Sequence, residues 1–459
     1  MRSTRWRALG LGVALLAAAH AARAAADPTP KDDENAALRE RVESLEQTVS
    51  LLKRQAEAKD EAEASKGPQP ILGAGPDGFY LQSADKKSFV LRLRGYVQTQ
   101  GRFFANGDTV VPNDDILMRR VRPIFEGTVA EFVDFKIMTD FGQNATLLQD
   151  AYLNAHYWPL AQLQVGKFKE PFGLERLQSG SSLTFIERGL PNDIVPNRDV
   201  GAQLWGNWRQ GLVTYQLAAF DGVTDGGSTD GDNNDGKDFV GRIFARPFQD
   251  TTWTPFAGFG IGFAGSFGKA NGAPSTYKTA GQQTFFKYGS NVQQSGERVR
   301  ISPQLYWSWG PFGLLGEWVL SSTTLRIKTA TGRNPPDLQA DNSAWQLQAS
   351  YVLTGENASY YGVVPRDSFV PGKGTWGACE LAARYGELHV DNDVFHSGFA
   401  SLNDSARRAR SYGVDFNWYL NRFLKWQLEF DQTFFDRGAK NGNDRPAEDV
   451  IMSQFQVSF

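Results

Sequence analysis

The sequence predicts an all-β protein: a 16-stranded antiparallel transmembrane β-barrel behind an N-terminal, periplasmic α-helical coiled-coil segment. Three observations carry that prediction. First, apolar and polar residues alternate with period two over segments of about 10 to 14 residues, longer than the 5 to 6 usual in globular strands. A tilted membrane-spanning strand needs roughly 9 to 11. Second, the longest apolar run, Leu9 to Ala19, has 11 residues, too few for a bilayer-crossing helix, and the mean hydropathy is −0.41. Third, 47 Gly accompany 32 Phe, 14 Tyr and 12 Trp, a composition of strands and turns. The single Cys excludes a disulfide scaffold and any CxxC site.

Residues 1–26 have the order of a secretory signal peptide: Arg2, Arg5 and Arg7, the apolar run, then Ala24-Ala25-Ala26. Its removal takes four arginines and no acid, so the formal net charge of −3 becomes −7. Residues 31–65 contain no aromatic and no Gly. Leu38, Leu45 and Leu52 recur every seven residues, with Val42, Val49 and Ala56 four after each, a coiled-coil heptad with Asn35 at the preceding a position. A linker, 66–80, follows, opened by the helix-breaking Lys66-Gly67-Pro68-Gln69-Pro70, and 81–459 form the barrel domain.

Within that domain the alternation predicts strands at 89–104, 117–129, 132–141, 147–158, 161–168, 199–209, 211–220 and 237–248. Eight more follow at 253–266, 296–309, 311–324, 341–354, 375–388, 408–420, 422–435 and 447–459. Aromatic pairs at segment ends (Tyr157-Trp158, Trp205 and Trp208, Trp307 and Trp309, Trp418-Tyr419) suit interfacial girdles. Short connections alternate with long ones, as periplasmic turns alternate with outer loops, and 355–374 is a long segment on the short-turn side. The polar phase carries Arg92, Arg94 and Arg102 on the first strand, Arg120 and Arg122 on the second, and Arg298 and Arg300 on the tenth. A guanidinium meets an oxyanion as a planar fork, so such a row offers a series of weak anion sites.

The chain resembles the phosphate-selective porin O and P family over roughly 80–459. The carriers are Leu91-Arg92-Leu93-Arg94-Gly95-Tyr96, Arg119-Arg120-Val121-Arg122-Pro123, Asp150-Ala151-Tyr152-Leu153, Gly166-Lys167-Phe168-Lys169-Glu170-Pro171-Phe172-Gly173, Ile186-Glu187-Arg188 and Phe455-Gln456-Val457-Ser458-Phe459. The resemblance implies a homotrimer in outer-membrane lipid, with 169–198, 267–295 and 355–374 folded inward to narrow the pore. It implies that Arg119 and Arg120 are paired constriction arginines, that Asp150 is the family's acid, and that Ser179, Ser181, Ser182 and Arg188 lie where loop-three ligands are expected; Lys169, at the start of that loop, is a further pore-lining candidate. It further implies small anions such as phosphate as solutes, and Phe459 as the signal to the barrel-assembly machinery.

Acids temper that expectation. Loop 169–198 with Asp199 sets Lys169, Arg176, Arg188 and Arg198 against Glu170, Glu175, Glu187, Asp193 and Asp199. Inward phases also hold Asp134, Asp140, Glu317, Glu380, Glu429 and Asp431. A weakly selective or cation-preferring porin is therefore the alternative, its coiled coil 31–65 also tethering the envelope to the cell wall. Asp230, Asp232 and Asn234 have part of a calcium-loop spacing, but Asp235 stands where Gly is required, which leaves an acidic outer loop. His156, His389 and His396 have no metal spacing, Cys379 falls on a lipid-facing phase, and no nucleophile elbow or P-loop is present. The sequence thus predicts no enzyme, no cofactor, no metal site and no nucleic-acid partner.

Overall fold

A computed structural model describes residues 31–65, 69–75, 78–105, 113–231, 236–252, 254–329 and 335–459. The signal segment, and Asp232, Asn234 and Asp235 of the acidic stretch, lie outside the described residues. The first compact unit holds one helix, α1 (Lys31–Ser65). Its heptad residues Leu38, Val42, Leu45, Val49 and Leu52 are all exposed in the single chain.

The second unit, from Pro70 onward, opens with a hairpin of β1 (Ile71–Gly75) and β2 (Gly78–Gln82). Barrel strands follow: β3 (Phe89–Phe104), β4 (Asp115–Val129), β5 (Val133–Asp140), β6 (Leu147–Trp158), β7 (Ala161–Lys169), β8 (Arg198–Trp208), β9 (Val213–Phe220), β10 (Asp238–Ala245) and β11 (Gly260–Gly272). After a small sheet of β12 (Tyr277–Lys278) and β13 (Thr284–Phe286) come β14 (Val292–Trp309), β15 (Phe312–Ile327), β16 (Leu338–Val352), β17 (Ala378–His389), β18 (Ala406–Tyr419) and β19 (Leu424–Ala439). A short β20 (Asn443–Asp444) precedes the last barrel strand, β21 (Glu448–Ser458). Each barrel strand pairs antiparallel with its neighbours, and β21 returns to β3, with Val450 opposite Phe104 and Ser458 opposite Tyr96. Sixteen strands close the ring, so that among the described residues every wall strand has a partner on both sides. Beyond Ser458, Phe459 exchanges two backbone hydrogen bonds with Gly95, and β2 continues the same edge of β3.

The residue distribution is that of a wall between lipid and water. On β3 the side chains of Tyr96, Gln98, Gln100 and Arg102 are buried inside, whereas Phe103 points out. Ile137, Leu153, Leu204, Leu217, Phe239 and Leu347 are likewise exposed on the outer face. The expected aromatic pairs all fall at the short-turn end, because β6, β8, β14 and β18 all run toward it. Trp158, Trp208 and Trp309 face outward there, while Tyr419 turns inward and donates to Glu380 at 2.8 Å.

One strand is displaced from its sequence expectation: β11 begins at Gly260 rather than 253. Pro255 has no N–H for a ladder, its carbonyl accepts the Trp307 indole at 2.6 Å, and Phe256 stacks on Trp307. The described residues 246–252 and 254–259 therefore form successive turns, and the ladder starts only at the glycine-rich run beyond them.

Candidate functional site

Two inward segments narrow the barrel. Loop 3 (170–197) enters from the long-loop end, and a buried loop must find partners for its backbone. The wall supplies them. Gln98 donates to the Gly180 carbonyl at 2.9 Å, Gln456 to Ser181 at 3.1 Å, Lys425 to Leu183 at 2.7 Å, and Asn417 and Gln427 to Thr184 at 2.9 and 3.1 Å. Glu317 accepts from the amides of Leu174 and Glu175 at the start of α2 (Leu174–Leu177). The second segment, 353–377, enters from the short-turn end. Tyr360 donates to the Leu174 carbonyl at 2.6 Å, and Gln178 donates to the Tyr360 carbonyl at 2.8 Å, so the two segments meet inside the barrel. Above them, Phe172, Ile194, Phe285, Phe286 and Phe399 pack into one apolar cluster that joins loop 3 to loop 5 (273–291) and the 390–405 connection.

A cavity of about 540 Å³ remains between loop 3, loop 4 (the connection from β9 to β10), loop 5 and the β4 wall. Its cations are Arg119, Arg120, Arg176, Arg188 and Lys278, and its acids are Glu187, Asp193 and Asp225. The centre is Glu187. Arg119 grips both of its oxygens, one through Nε and the other through Nη2 at 3.0 Å. Arg120 Nη2 lies 3.2 Å from Oε2 and Arg102 Nη2 lies 3.4 Å from Oε1. Burial alone would raise this carboxyl, yet Arg119, Arg120 and Arg102 together hold it well below the usual carboxylate range. Across loop 3, burial pushes Asp193 up to about 7, against the opposing pull of the Lys278 amide and Arg176.

Two consecutive residues of a regular strand point to opposite faces, so Arg119 and Arg120 cannot both reach Glu187 from an unbroken ladder. The β3–β4 register shows how they do. Gln98 pairs with Arg120 and Thr99 with Met118, which leaves Arg119 as the extra residue of a bulge. A matching irregularity in β6 sets Met138 opposite Asp150 and Thr139 opposite Leu148, so Gln149 and Asp150 are both buried.

The other expected residues disperse. Arg122 pairs with Asp140 at 2.7 Å and donates to Tyr96 at 2.8 Å. Arg94 pairs with Glu126 at 2.9 Å, and Arg92 is exposed toward the short-turn end. Asp150 binds Arg198 at 2.7 Å and Lys136 at 3.4 Å. Lys169 and Arg188 both brace loop 3, donating to the Gln178 carbonyl at 2.6 and 2.7 Å. Arg298 and Arg300 are fully buried, Arg298 against Asp238 and Arg300 between Asp225 at 2.7 Å and Asp238 at 3.2 Å. Ser179, Ser181 and Ser182 do not line the arginine cavity. Ser179 and Ser181 bond each other at 2.9 Å, and Ser182 lies beside Gly362 of the opposite segment. Charged cavity residues that sequence reasoning did not assign to a site are Glu187, Arg176, Asp193, Asp225 and Lys278. The signal for the first was its place in Ile186-Glu187-Arg188.

The family model described as phosphate-selective porin O and P matches residues 92–459. Porin O of Pseudomonas aeruginosa is 24% identical over 416 residues, covering 83% of this chain and 91% of that protein. Among solved structures, OmpT of Vibrio cholerae superposes with a TM-score of 0.50 at 9% identity, covering 81% of this chain and 98% of that one. The outer-membrane channel DcaP of Acinetobacter baumannii gives 0.49 at 12% identity over 81% and 98%. The chain belongs to the phosphate-selective porin O and P family and is an outer-membrane porin channel.

Proposed function

We propose that the barrel is a passive, anion-selective diffusion channel for small hydrophilic solutes, with phosphate and polyphosphate as its natural class. The observation that carries this reading is the cavity lining, five cations against three acids, in which Arg119 and Arg120 meet Arg102 of the wall behind them at Glu187. A net positive fixed charge, focused in the cavity that loop 3 shares with loop 5, raises the local concentration of the opposite ion. The family and the barrel point to a channel rather than an enzyme.

The test is the reversal potential of the purified full chain in a planar bilayer under a potassium chloride gradient. An anion channel shifts it toward the chloride potential, and added phosphate or pyrophosphate then reduces chloride current. A shift toward the potassium potential leaves the general, cation-preferring porin instead.

The same reading extends to assembly. Residues 1–26 direct export, the barrel works as a homotrimer, and the exposed Leu and Val seam of α1 packs against its copies. Cross-linking of the full chain through cysteines placed along that seam reads the stoichiometry; a monomer at every position overturns it. Phe459, at the closing seam with Gly95, is the recognition point for barrel assembly, and its deletion should block insertion.

A further inference from the structure

We propose that Glu187 is a resident counter-ion: its carboxylate stands where a permeating oxyanion binds on Arg102, Arg119 and Arg120, and its competition sets how tightly that anion is held. The inference deepens the anion-channel reading and rests on it.

The geometry is that of a ligand in a site. The carboxylate is buried, faces the cavity, and takes four guanidinium N–H groups from three arginines. Turning the Gln100 amide adds a further donor to Oε1 at 3.1 Å while the same amide accepts from Arg102 Nε at 3.1 Å. This donor set is specific for a planar or tetrahedral oxyanion. A loop brace alone does not need it, because the Glu187 backbone is already held by Arg384, which donates to its carbonyl at 2.8 Å, and the neighbouring Ile186 amide donates to Glu429 at 2.6 Å.

Charge points the same way. Three guanidiniums and one carboxylate leave an excess of two positive charges, which a dianion such as hydrogen phosphate would neutralise. Arg122, the next arginine on the strand, is already matched by Asp140 and does not share Glu187. Conduction requires a site loose enough to release its ion. A trio without an internal acid would be a trap, and a carboxylate on a loop side chain that shares or yields the donors makes the same trio a relay.

The experiment compares the full-length wild type with Glu187→Gln and Glu187→Asp in planar bilayers, titrating potassium phosphate into potassium chloride and reading block of the chloride current. Glu187→Gln should lower the half-blocking phosphate concentration about tenfold or more, because the competitor loses its charge while the donors stay. Glu187→Asp keeps the charge but retracts it, and should move the same way by about threefold. Half-blocking concentrations equal to wild type overturn the inference, and Glu187→Asp decides alone if the glutamine variant does not insert. Larger potassium and chloride currents with unchanged phosphate block assign Glu187 to bracing loop 3 only, which also overturns it. A wild type that prefers potassium defeats the anion-channel reading itself, whereas an anion-selective wild type with unshifted variants defeats only this inference.

Discussion

Arg119 and Arg120 are neighbours in sequence, and both guanidiniums close on the carboxylate of Glu187 because β4 bulges at Arg119. Each therefore adds its charge to the cavity, in contrast to Arg122, which is neutralised by Asp140. Replacing Arg120 with Ala should lower the anion-over-cation permeability ratio roughly fivefold, since one unit charge 4 Å from the ion is worth about 1 kcal/mol even at the dielectric of water. Arg122→Ala should change the ratio less and lower the unfolding temperature more, because it strands a buried Asp140. Bi-ionic reversal potentials and thermal unfolding in detergent separate the two; equal selectivity losses would contradict the pairing.

Asp193 sets a pH dependence. Its carboxyl, raised to about 7 by burial, is protonated below that pH and ionised above it. Glu187 stays ionised throughout. Falling pH thus removes one of the three acids from the cavity, and the anion-over-cation ratio should rise from pH 8 to pH 6 with a midpoint near 7. Asp193→Asn should hold the ratio at its acidic value at every pH. A ratio that rises with pH instead would reverse the sign and remove Asp193 from the ion path.

Tyr360 ties the segment entering from one end to the loop entering from the other through its bond to the Leu174 carbonyl. Tyr360→Phe removes about 1 kcal/mol of net hydrogen bonding, so displaced states of 353–377 should be populated roughly fivefold more. Single-channel recordings should show greater open-channel noise, while Tyr361→Phe, at an exposed neighbour, serves as a quiet control. Identical noise in both would mean that the Gln178 contact alone holds the junction.

Asp238 is buried between Arg298 and Arg300. Asp238→Ala leaves a guanidinium uncompensated behind loop 4 and should cost about 3 to 5 kcal/mol of stability. The readout is a lower temperature for loss of the folded, fast-migrating form in detergent. An unchanged temperature would show that water already carries part of that charge.

Much of the wall was legible in the sequence. Period two over a dozen residues has one solution in a membrane, and β3 and β6 run from Phe89 to Phe104 and from Leu147 to Trp158 as the alternation predicts. The inward Gln of that pattern became the donors that hold loop 3. What the pattern cannot carry is a break in its own period. The bulge that brings Arg119 beside Arg120 adds one residue to one strand, a shift that only the register reveals. Pairing was hidden for the same reason. Arg298 and Arg300 have the inward phase expected of them, but the acids that bury them, Asp225 and Asp238, are 60 or more residues away in the chain. The resemblance groups the loop serines with the arginine pair, yet loop 3 turns them to different surfaces.

The seam where β21 meets β3 has a consequence for how the molecule is made. Gln98 and Gln456, hydrogen-bonded across it at 2.6 Å, are 358 residues apart. Among the described residues every other pairing of barrel strands joins consecutive strands, so the ring can zip up locally, but the loop-closure entropy of this last joint is met only when the final strand has been synthesised. Until then the growing sheet has two open edges of unpaired amides, each a template for pairing with another chain. Chains truncated before β21 should therefore aggregate rather than form smaller pores, and the rate of closure, not of strand formation, should govern how fast functional channels accumulate.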